Sequence, residues 1–286
     1  MNPTTASPLG DIAIIDLEGP DAEAFAQAQS MNDVAALAVG HWHWNGWLSP
    51  KGRVQALFAL LHRAPGQLRL LLLDAEPVAF VAGLSRYLLR SKARLRHRDD
   101  LQAFAGFGEG PLAQAPPLER NRLLEAPDGS EVLDASAAGG RRWLGIRAKT
   151  GPADPLATAR WREDDLRHGL PRWHSDREPA WTPHMLSLQR LHAFSVKKGC
   201  YPGQEIVART HYLGEVKRQT WWLEGEALTA GQPVLGGGNG ASLGSIIDTT
   251  ADGRGALAVL SATLPATLRA GAGEVRASPP LSGLER

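Results

Sequence analysis

Cysteine is almost absent from this chain: Cys200 is the only one in 286 residues. A single cysteine excludes an internal disulfide framework and any zinc or iron–sulfur site built from several thiolates of this chain. An unpaired thiol suits a reducing compartment, so we expect a cytoplasmic protein. The longest apolar run, around 68–73, is far too short to span a bilayer, and the first ten residues have no apolar signal core. We therefore expect no membrane insertion.

The chain also lacks an excess of charge. It has 31 Lys and Arg against 30 Asp and Glu, a formal net charge of +1. A near-neutral chain without a recognisable base-stacking module is not expected to bind RNA directly. His41 and His43 share a strand face, but no cysteine or carboxylate is close in sequence, which favours packing over a metal site. The glycine run 236–240 lacks a following Lys-Ser/Thr, so it predicts a hairpin loop and not a phosphate loop.

Hydrophobic periodicity predicts an α+β protein with antiparallel sheets. Strand patterns cover 12–17, 41–47, 53–62, 67–73, 92–98 and the neighbourhoods of 104 and 143–147. Helical patterns cover 21–29, 154–168 and a stretch with Asp74 as N-cap and an apolar side from Val78 to Leu88. From 216 onward glycines and short β-like runs predict a small all-β domain. We therefore divide the chain into 1–215, with a split near 100, and a C-terminal barrel at 216–286.

Lys197 and Lys198 immediately precede Gly199 and Cys200, and a Pro-Gly turn follows. A helix is predicted from Gln204, which places the thiol just before a helix start. Neighbouring cations and a helix N-terminus both lower a thiol pKa, which predicts a reactive thiolate. The alternative is a small, buried, inert cysteine, because free cysteines are among the most buried residues. The sequence leaves both open.

The run Lys198-Gly199-Cys200-Tyr201-x-Gly203-Gln204-Glu205 resembles the signature of the YgfZ-type folate-binding proteins, which are relatives of the glycine cleavage T-protein, an aminomethyltransferase. The match continues through Ile206–Arg209 to Lys217-Arg218, and weaker similarity includes the turns at 49–53 and 169–171. The resemblance implies an aminomethyltransferase-like fold around a central cavity and a monomer that binds tetrahydrofolate. It also implies support for iron–sulfur cluster assembly or repair and, through iron–sulfur enzymes, for tRNA modification.

We assign roles to the signature as hypotheses. Cys200 is the reactive group at a cavity wall, Tyr201 adds a ring and a hydroxyl, and Gly199 and Gly203 permit a tight backbone path. Gln204 and Glu205 either contact a ligand or start a helix. The remaining candidates for cofactor contact are Lys197, Arg209, and Trp44 and Asn45 of the hairpin that the resemblance places beside the cavity.

The chain departs from its relatives at several positions. The T-protein acidic pair corresponds to Ala56 and Leu57, which exchange no proton and disfavour aminomethyl transfer. The T-protein glutamate that binds the pterin corresponds to Arg167, which offers only donors. His184 and Ser187 replace the Gln and Asn that are usual among YgfZ-type proteins. A non-catalytic scaffold for iron–sulfur enzymes remains a further alternative.

A basic stripe is the last candidate site. Lys92, Arg94, Arg96 and Arg98 alternate on a predicted strand and would share one face, with Arg86 and Arg90 just before them. The stripe fits an anion, such as a folate glutamate tail or RNA phosphates. It equally fits an edge strand whose charges prevent edge-to-edge pairing.

Overall fold

The computed structural model describes residues 6–114, 120–172, 180–237 and 240–286. The sixteen strands of the described chain are β1 Ser7–Pro8, β2 Ile12–Glu18, β3 His41–Leu48, β4 Val54–Ala64, β5 Gln67–Leu73, β6 Arg94–His97, β7 Leu101–Phe107, β8 Leu123–Glu125, β9 Glu131–Asp134, β10 Arg142–Ala148, β11 Arg218–Glu224, β12 Pro233–Gly236, β13 Ser242–Thr249, β14 Gly255–Ser261, β15 Leu268–Ala270 and β16 Gly273–Ser278. Its α-helices are α1 Ala22–Gln29, α2 Pro77–Ser85, α3 Pro155–Arg167 and α4 Gln204–Leu213.

The first sheet is antiparallel, with the order β3-β4-β5-β2-β6. Its strands are long apolar runs, and β4 and β5 are buried on both faces. Helices α1 and α2 cover one face, where Phe25, Phe80 and Leu84 pack on side chains of the sheet. The predicted strands of this part and the first predicted helix are therefore confirmed.

The helix predicted after Asp74 exists, but its predicted cap is wrong. Pro77 occupies the first turn, and Glu76 caps the helix by accepting from the backbone N–H groups of Val78 and Ala79. Asp74 instead takes a left-handed backbone conformation, with φ +57°, and binds arginines. Val78, predicted on the apolar side, is 66% exposed, whereas Phe80 and Leu84 of the same helix are buried.

The second sheet has the order β1-β7-β10-β9-β8, and α3 packs nearby with Asp154 as its N-cap. The C-terminal strands β11-β14-β13-β12-β15-β16 form a closed barrel, which confirms the predicted C-terminal β-barrel. Strands β12 and β13 pair as the hairpin predicted around 236–240, although Gly238 and Asn239 lie outside the described residues. One large apolar core joins the inner face of the first sheet to the second sheet, α3 and the barrel.

A buried ionic network also joins these parts. Arg172 is fully buried and binds three carboxylates: Asp11 before β2, Asp74 after β5 (Nε–Oδ2 2.8 Å) and Asp165 in α3 (Nη1–Oδ2 2.8 Å). Burial alone would lower the pKa of Arg172, but the three carboxylates raise it above its ordinary value, so the guanidinium is charged.

Arg162 in α3 extends this network to the barrel. It binds Asp74 and also Asp248, a residue of β13. Two guanidinium groups thus connect the first sheet, α3 and the barrel.

Within the described residues no helix is long and apolar enough to cross a membrane. Nor do these residues contain a group of three or more His, Cys, Asp or Glu side chains arranged to hold a metal ion.

Replacing Arg172 tests the network. Arg172→Met removes the only cation that pairs with Asp11 among the described residues, and one of the two that pair with Asp74 and with Asp165. We therefore expect the free energy of unfolding to fall by about 3–5 kcal/mol in urea denaturation at pH 7. Arg254→Met is the control, because Arg254 and its partner Glu226 are both mostly exposed; a change within about 0.5 kcal/mol is expected. Equal, small losses in both variants would contradict the stabilising role of Arg172.

Candidate functional site

Cys200 lies on the loop between a short 3-10 helix, Leu188–Leu191, and α4. Its side chain is exposed, so the alternative of a buried, inert cysteine is wrong. Helix α4 begins directly after Gly203, as predicted, and Gly203 has the φ of +80° that glycine tolerates best. The reactivity of the thiol stays a prediction.

Lys198 does not lie beside this thiol. It is buried, and its Nζ donates to the carbonyl oxygens of Gln27 (2.5 Å), Ser30 (2.6 Å) and Asn32 (3.0 Å), at and just beyond the C-terminal end of α1. Burial lowers the pKa of Lys198 to about 8, an effect that the charge of Asp33 opposes. The predicted role of Lys198 as a cation next to the sulfur is wrong, because the unpaired carbonyls at a helix end attract the ammonium group.

The other lysine of the pair remains on the surface. Lys197 is exposed and immediately precedes the buried Lys198. Tyr201 is buried beneath the loop, where its hydroxyl donates to the Ser195 carbonyl (3.3 Å) and its ring centroid lies 4.9 Å from the Lys198 Nζ. Burial raises the pKa of Tyr201 to about 12, so this hydroxyl is neutral. Tyr201 therefore anchors the loop.

Asn45 is fully occupied by the protein itself. Its Oδ1 accepts from the backbone N–H groups of Asn32 (2.9 Å) and Gly46 (2.8 Å), and its Nδ2 donates to Ser30 Oγ (3.1 Å). Its Nδ2 also lies 3.2 Å from Nε2 of His43. Burial, and then the charge of Lys198, lower the pKa of His43 to about 3, so this imidazole is neutral.

Trp44 is buried as well. Its Nε1 donates to the Leu284 carbonyl (2.7 Å), and its ring packs edge-on against Trp42 at 5.2 Å. The predicted contact of Trp44 and Asn45 with a pterin is therefore not supported by this arrangement. The physical reason is that β3 is covered on both faces, by the C-terminal segment and by the residues after α1.

The signature loop packs directly on the turn at 49–52. A Cβ added to Gly203 would lie 2.6 Å from the Gly52 Cα and 2.6 Å from the Ser49 carbonyl oxygen. Gly52 has φ +67°, and its own Cβ would lie 2.8 Å from the Ile206 Cβ. This contact was not predicted from the sequence, although the glycine in each of the two turns, Gly52 and Gly203, is typical of closely packed backbone. Gly199, by contrast, has open space around its Cβ position and no positive φ, so the predicted steric need for glycine there is wrong.

Gln204 supports the loop, because its Nε2 donates to the Lys198 carbonyl (3.1 Å). Glu205 and Arg209 are both exposed, and they form no ion pair with each other in the part of the chain that the structure describes. Helix α4 buries only Val207, while Tyr212 and Leu213 are 63% and 86% exposed. The helix that follows the thiol thus presents most of its surface to solvent.

The residues at the T-protein acidic positions lie in the core. Ala56 and Leu57 are buried in β4, with no carboxylate of their own. Arg167 is half-exposed; its Nε lies 3.2 Å from Glu163 Oε1, and it borders a groove of about 850 Å³ between α3 and the barrel.

The two positions that differ from the usual YgfZ-type pattern lie in one segment. His184 is buried beside Phe194, with ring centroids 4.9 Å apart, and neither ring nitrogen has a hydrogen-bond partner among the described residues. Burial, and then the charge of His211, lower the pKa of His184 to about 4. Ser187 adopts φ +51°, and its Oγ accepts from the Thr220 N–H (3.0 Å), which connects this segment to the barrel.

The basic stripe lies on β6, the last strand of the first sheet, as the edge-strand alternative requires. Lys92, Arg94 and Arg96 are exposed. Arg98 is different: it binds Asp16 and Asp100, both at 2.6 Å, and these pairs raise its pKa. Including Arg98 in the anion-binding group is therefore wrong, because its charge is already neutralised.

Comparison with known proteins identifies relatives of this chain. No family model matches the chain. The chain is 28% identical over 254 residues to "tRNA-modifying protein YgfZ" of Cronobacter sakazakii, which spans 81% of this chain and 74% of that protein. It is 29% identical over 243 residues to the protein of the same name from Edwardsiella ictaluri, spanning 79% of this chain and 72% of the relative.

A solved structure shares the fold. The glycine cleavage system aminomethyltransferase T from Bartonella henselae matches with a TM-score of 0.73 and covers 94% of this chain and 82% of that chain, at 16% identity.

The neighbouring lysines provide a matched test of the loop anchor. Lys198→Met leaves three buried carbonyls unpaired, so we expect the free energy of unfolding at pH 7 to fall by about 2–3 kcal/mol, whereas Lys197→Met should change it by less than about 0.5 kcal/mol. The pH dependence is a second readout. Between the pKa of about 8 in the folded protein and about 10.4 in the unfolded chain, the unfolded chain holds more protons. The wild type should therefore gain stability relative to Lys198→Met as pH rises through this window. Equal effects of the two substitutions would contradict the anchor.

The signature, the similarity over about four fifths of the chain and the shared fold agree. This confirms the resemblance predicted from residues 198–205. The chain is a homologue of the proteins named tRNA-modifying protein YgfZ, and its fold is that of the glycine cleavage aminomethyltransferase T.

Proposed function

We propose that this chain is a tetrahydrofolate-binding accessory protein of tRNA modification, which uses the Cys200 thiol to support iron–sulfur enzymes. The proposal rests on the exposure of the single cysteine. Its loop is held in place by the hydrogen bonds of Lys198 and Tyr201 and by the close packing of Gly203. The name of the relatives supports the tRNA context, and the fold supports a folate association.

A rigid loop with an outward thiol suits chemistry on a partner. Only the thiolate is nucleophilic, so a working cysteine must be reachable from solvent. Cys200 meets this condition, and the exposed surface of α4 beside it leaves room for a large partner. A reducing compartment such as the cytoplasm keeps a lone exposed thiol available.

Aminomethyl transfer is the less favoured function. That chemistry needs a group that handles protons near the folate, and the corresponding residues here, Ala56 and Leu57, are buried and apolar. A non-catalytic scaffold stays the second candidate, since an exposed helix beside the signature would also serve docking alone. The thiol distinguishes the two.

Replacing Cys200 tests the thiol. In a strain that lacks its own copy of the gene, the wild-type protein should restore methylthiolated nucleosides in bulk tRNA, measured by mass spectrometry, and Cys200→Ser should restore less than about a tenth of that level. Arg254→Gln, on the barrel surface, serves as the control at equal protein abundance. Full restoration by the serine variant would favour the scaffold.

Calorimetric titration tests folate binding. We expect saturable, one-to-one heats with tetrahydrofolate and 5-formyltetrahydrofolate, and none with p-aminobenzoylglutamate, which has the tail without the pterin. Trp44→Phe should leave the affinity unchanged within about twofold, because the indole is already covered by the C-terminal segment. Absence of saturable heat with both folates would contradict this part of the proposal.

A further inference from the structure

Five exposed cations lie on the β6 edge of the first sheet and in the segment before it, and Glu18 lies opposite Arg94 across the strand pair. Arg86, Arg90, Lys92, Arg94 and Arg96 are all exposed, and we call these five residues the cationic edge. Among the described residues no carboxylate lies within ion-pair distance of any of them, whereas nearby Arg98 is paired twice. The cationic edge therefore retains its charge for a partner.

The strand geometry orients part of this surface. Leu95 is buried in the apolar cluster beneath α2, so its neighbours Arg94 and Arg96 project from the opposite face of β6. Within the described ranges strand β6 pairs only with β2, so its outer side is an open edge of the sheet. The segment between α2 and β6 adds Arg86 and Arg90, together with the exposed ring of Tyr87.

The local distribution of charge on the surface, and not the net charge, determines where a polyanion binds to this molecule. The chain has a net charge of only +1, so the remainder of the molecule outside the cationic edge is net negative. A concentrated patch on an otherwise repelling molecule attracts and orients a polyanion. The expectation against RNA binding relied on the net charge and on the lack of a recognisable base-stacking module, although the basic stripe by itself fits RNA phosphates.

The chemistry of the cationic edge favours a nucleic-acid backbone over other partners. Arginine forks match phosphate oxygens, and an exposed tyrosine stacks on an unpaired base. A protein interface would need an apolar centre, yet the large exposed apolar side chains here, Tyr87 and Leu89, are interspersed with charges. A membrane surface would need a helix with one apolar face, which this segment lacks.

We propose that the cationic edge binds the phosphate backbone of tRNA. The proposal rests on the function proposed above, because that function places the protein in the tRNA-modification context, but it concerns a surface distinct from the Cys200 loop. The protein would then contact the RNA itself in addition to any enzyme that modifies it.

Fluorescence anisotropy with an unmodified, in vitro transcribed elongator tRNA tests this. The variant Arg94→Gln/Arg96→Gln should weaken binding about tenfold at fixed salt, and should reduce the slope of log Kd against log salt by about 2. Arg254→Gln/Arg276→Gln removes the same charge from the exposed barrel surface and should match the wild type within about twofold. Thermal melting confirms that the variants fold.

Three results would overturn the inference. The first is equal weakening of tRNA binding by the two double variants, and the second is no binding of the transcript by the wild type at 50 mM salt. The third is displacement of the bound tRNA by polyglutamate of the same charge as effectively as by unlabelled tRNA. Binding of phosphatidylglycerol vesicles that the tRNA does not displace would do the same. Cys200→Ser should bind tRNA like the wild type. Absence of tRNA binding by a wild-type protein that complements normally would therefore refute this inference alone, while failed complementation by Cys200→Ser concerns only the thiol.

Discussion

The ammonium group of Lys198 is the interaction on which the arrangement of the signature depends. It binds three carbonyl oxygens at and just beyond the C-terminal end of α1, so the loop that carries Cys200 is fixed to the end of this helix. A cation in this position satisfies acceptors that the helix leaves unpaired. The lysine of the signature is thus a structural residue, and its neighbour Lys197 is the one that solvent reaches.

The loop has two different sides as a result. Below it, Tyr201, Gly203 and Gly52 pack closely and leave no room for larger side chains at the glycines. Above it, the thiol and most of α4 face solvent. The packed side of the loop thus holds the reactive sulfur in place, and the exposed side leaves it open to solvent. This arrangement suits reaction with a large partner better than turnover of a small molecule in a closed pocket.

The sequence allowed many elements of the fold to be predicted, because long apolar strands, turn residues and helix caps are local signals. Helix α3 follows from such signals, as do the hairpins of the first sheet. The direction in which each long side chain points was harder to predict from the sequence. Lys198 and Arg98 point to acceptors that lie far away in sequence, and only the assembled sheet brings these acceptors within reach.

The predictions of Asp74 as a helix cap and of Trp44 as a ring wall failed for the same reason. An aspartate before a helical pattern is a good cap in isolation, but two arginines from distant segments bind it here. A tryptophan on a hairpin is a good ring wall, but the C-terminal segment covers it. Tertiary partners overrode local preference at both positions.

The arginine network has a consequence for how the chain is made. Arg172 meets Asp74 and Asp11 across separations of 98 and 161 residues. During synthesis Asp11 and Asp74, which flank β2 and β5, leave the ribosome long before that guanidinium does. Their pairs with Arg172 can therefore form only after more than half of the polypeptide has been translated.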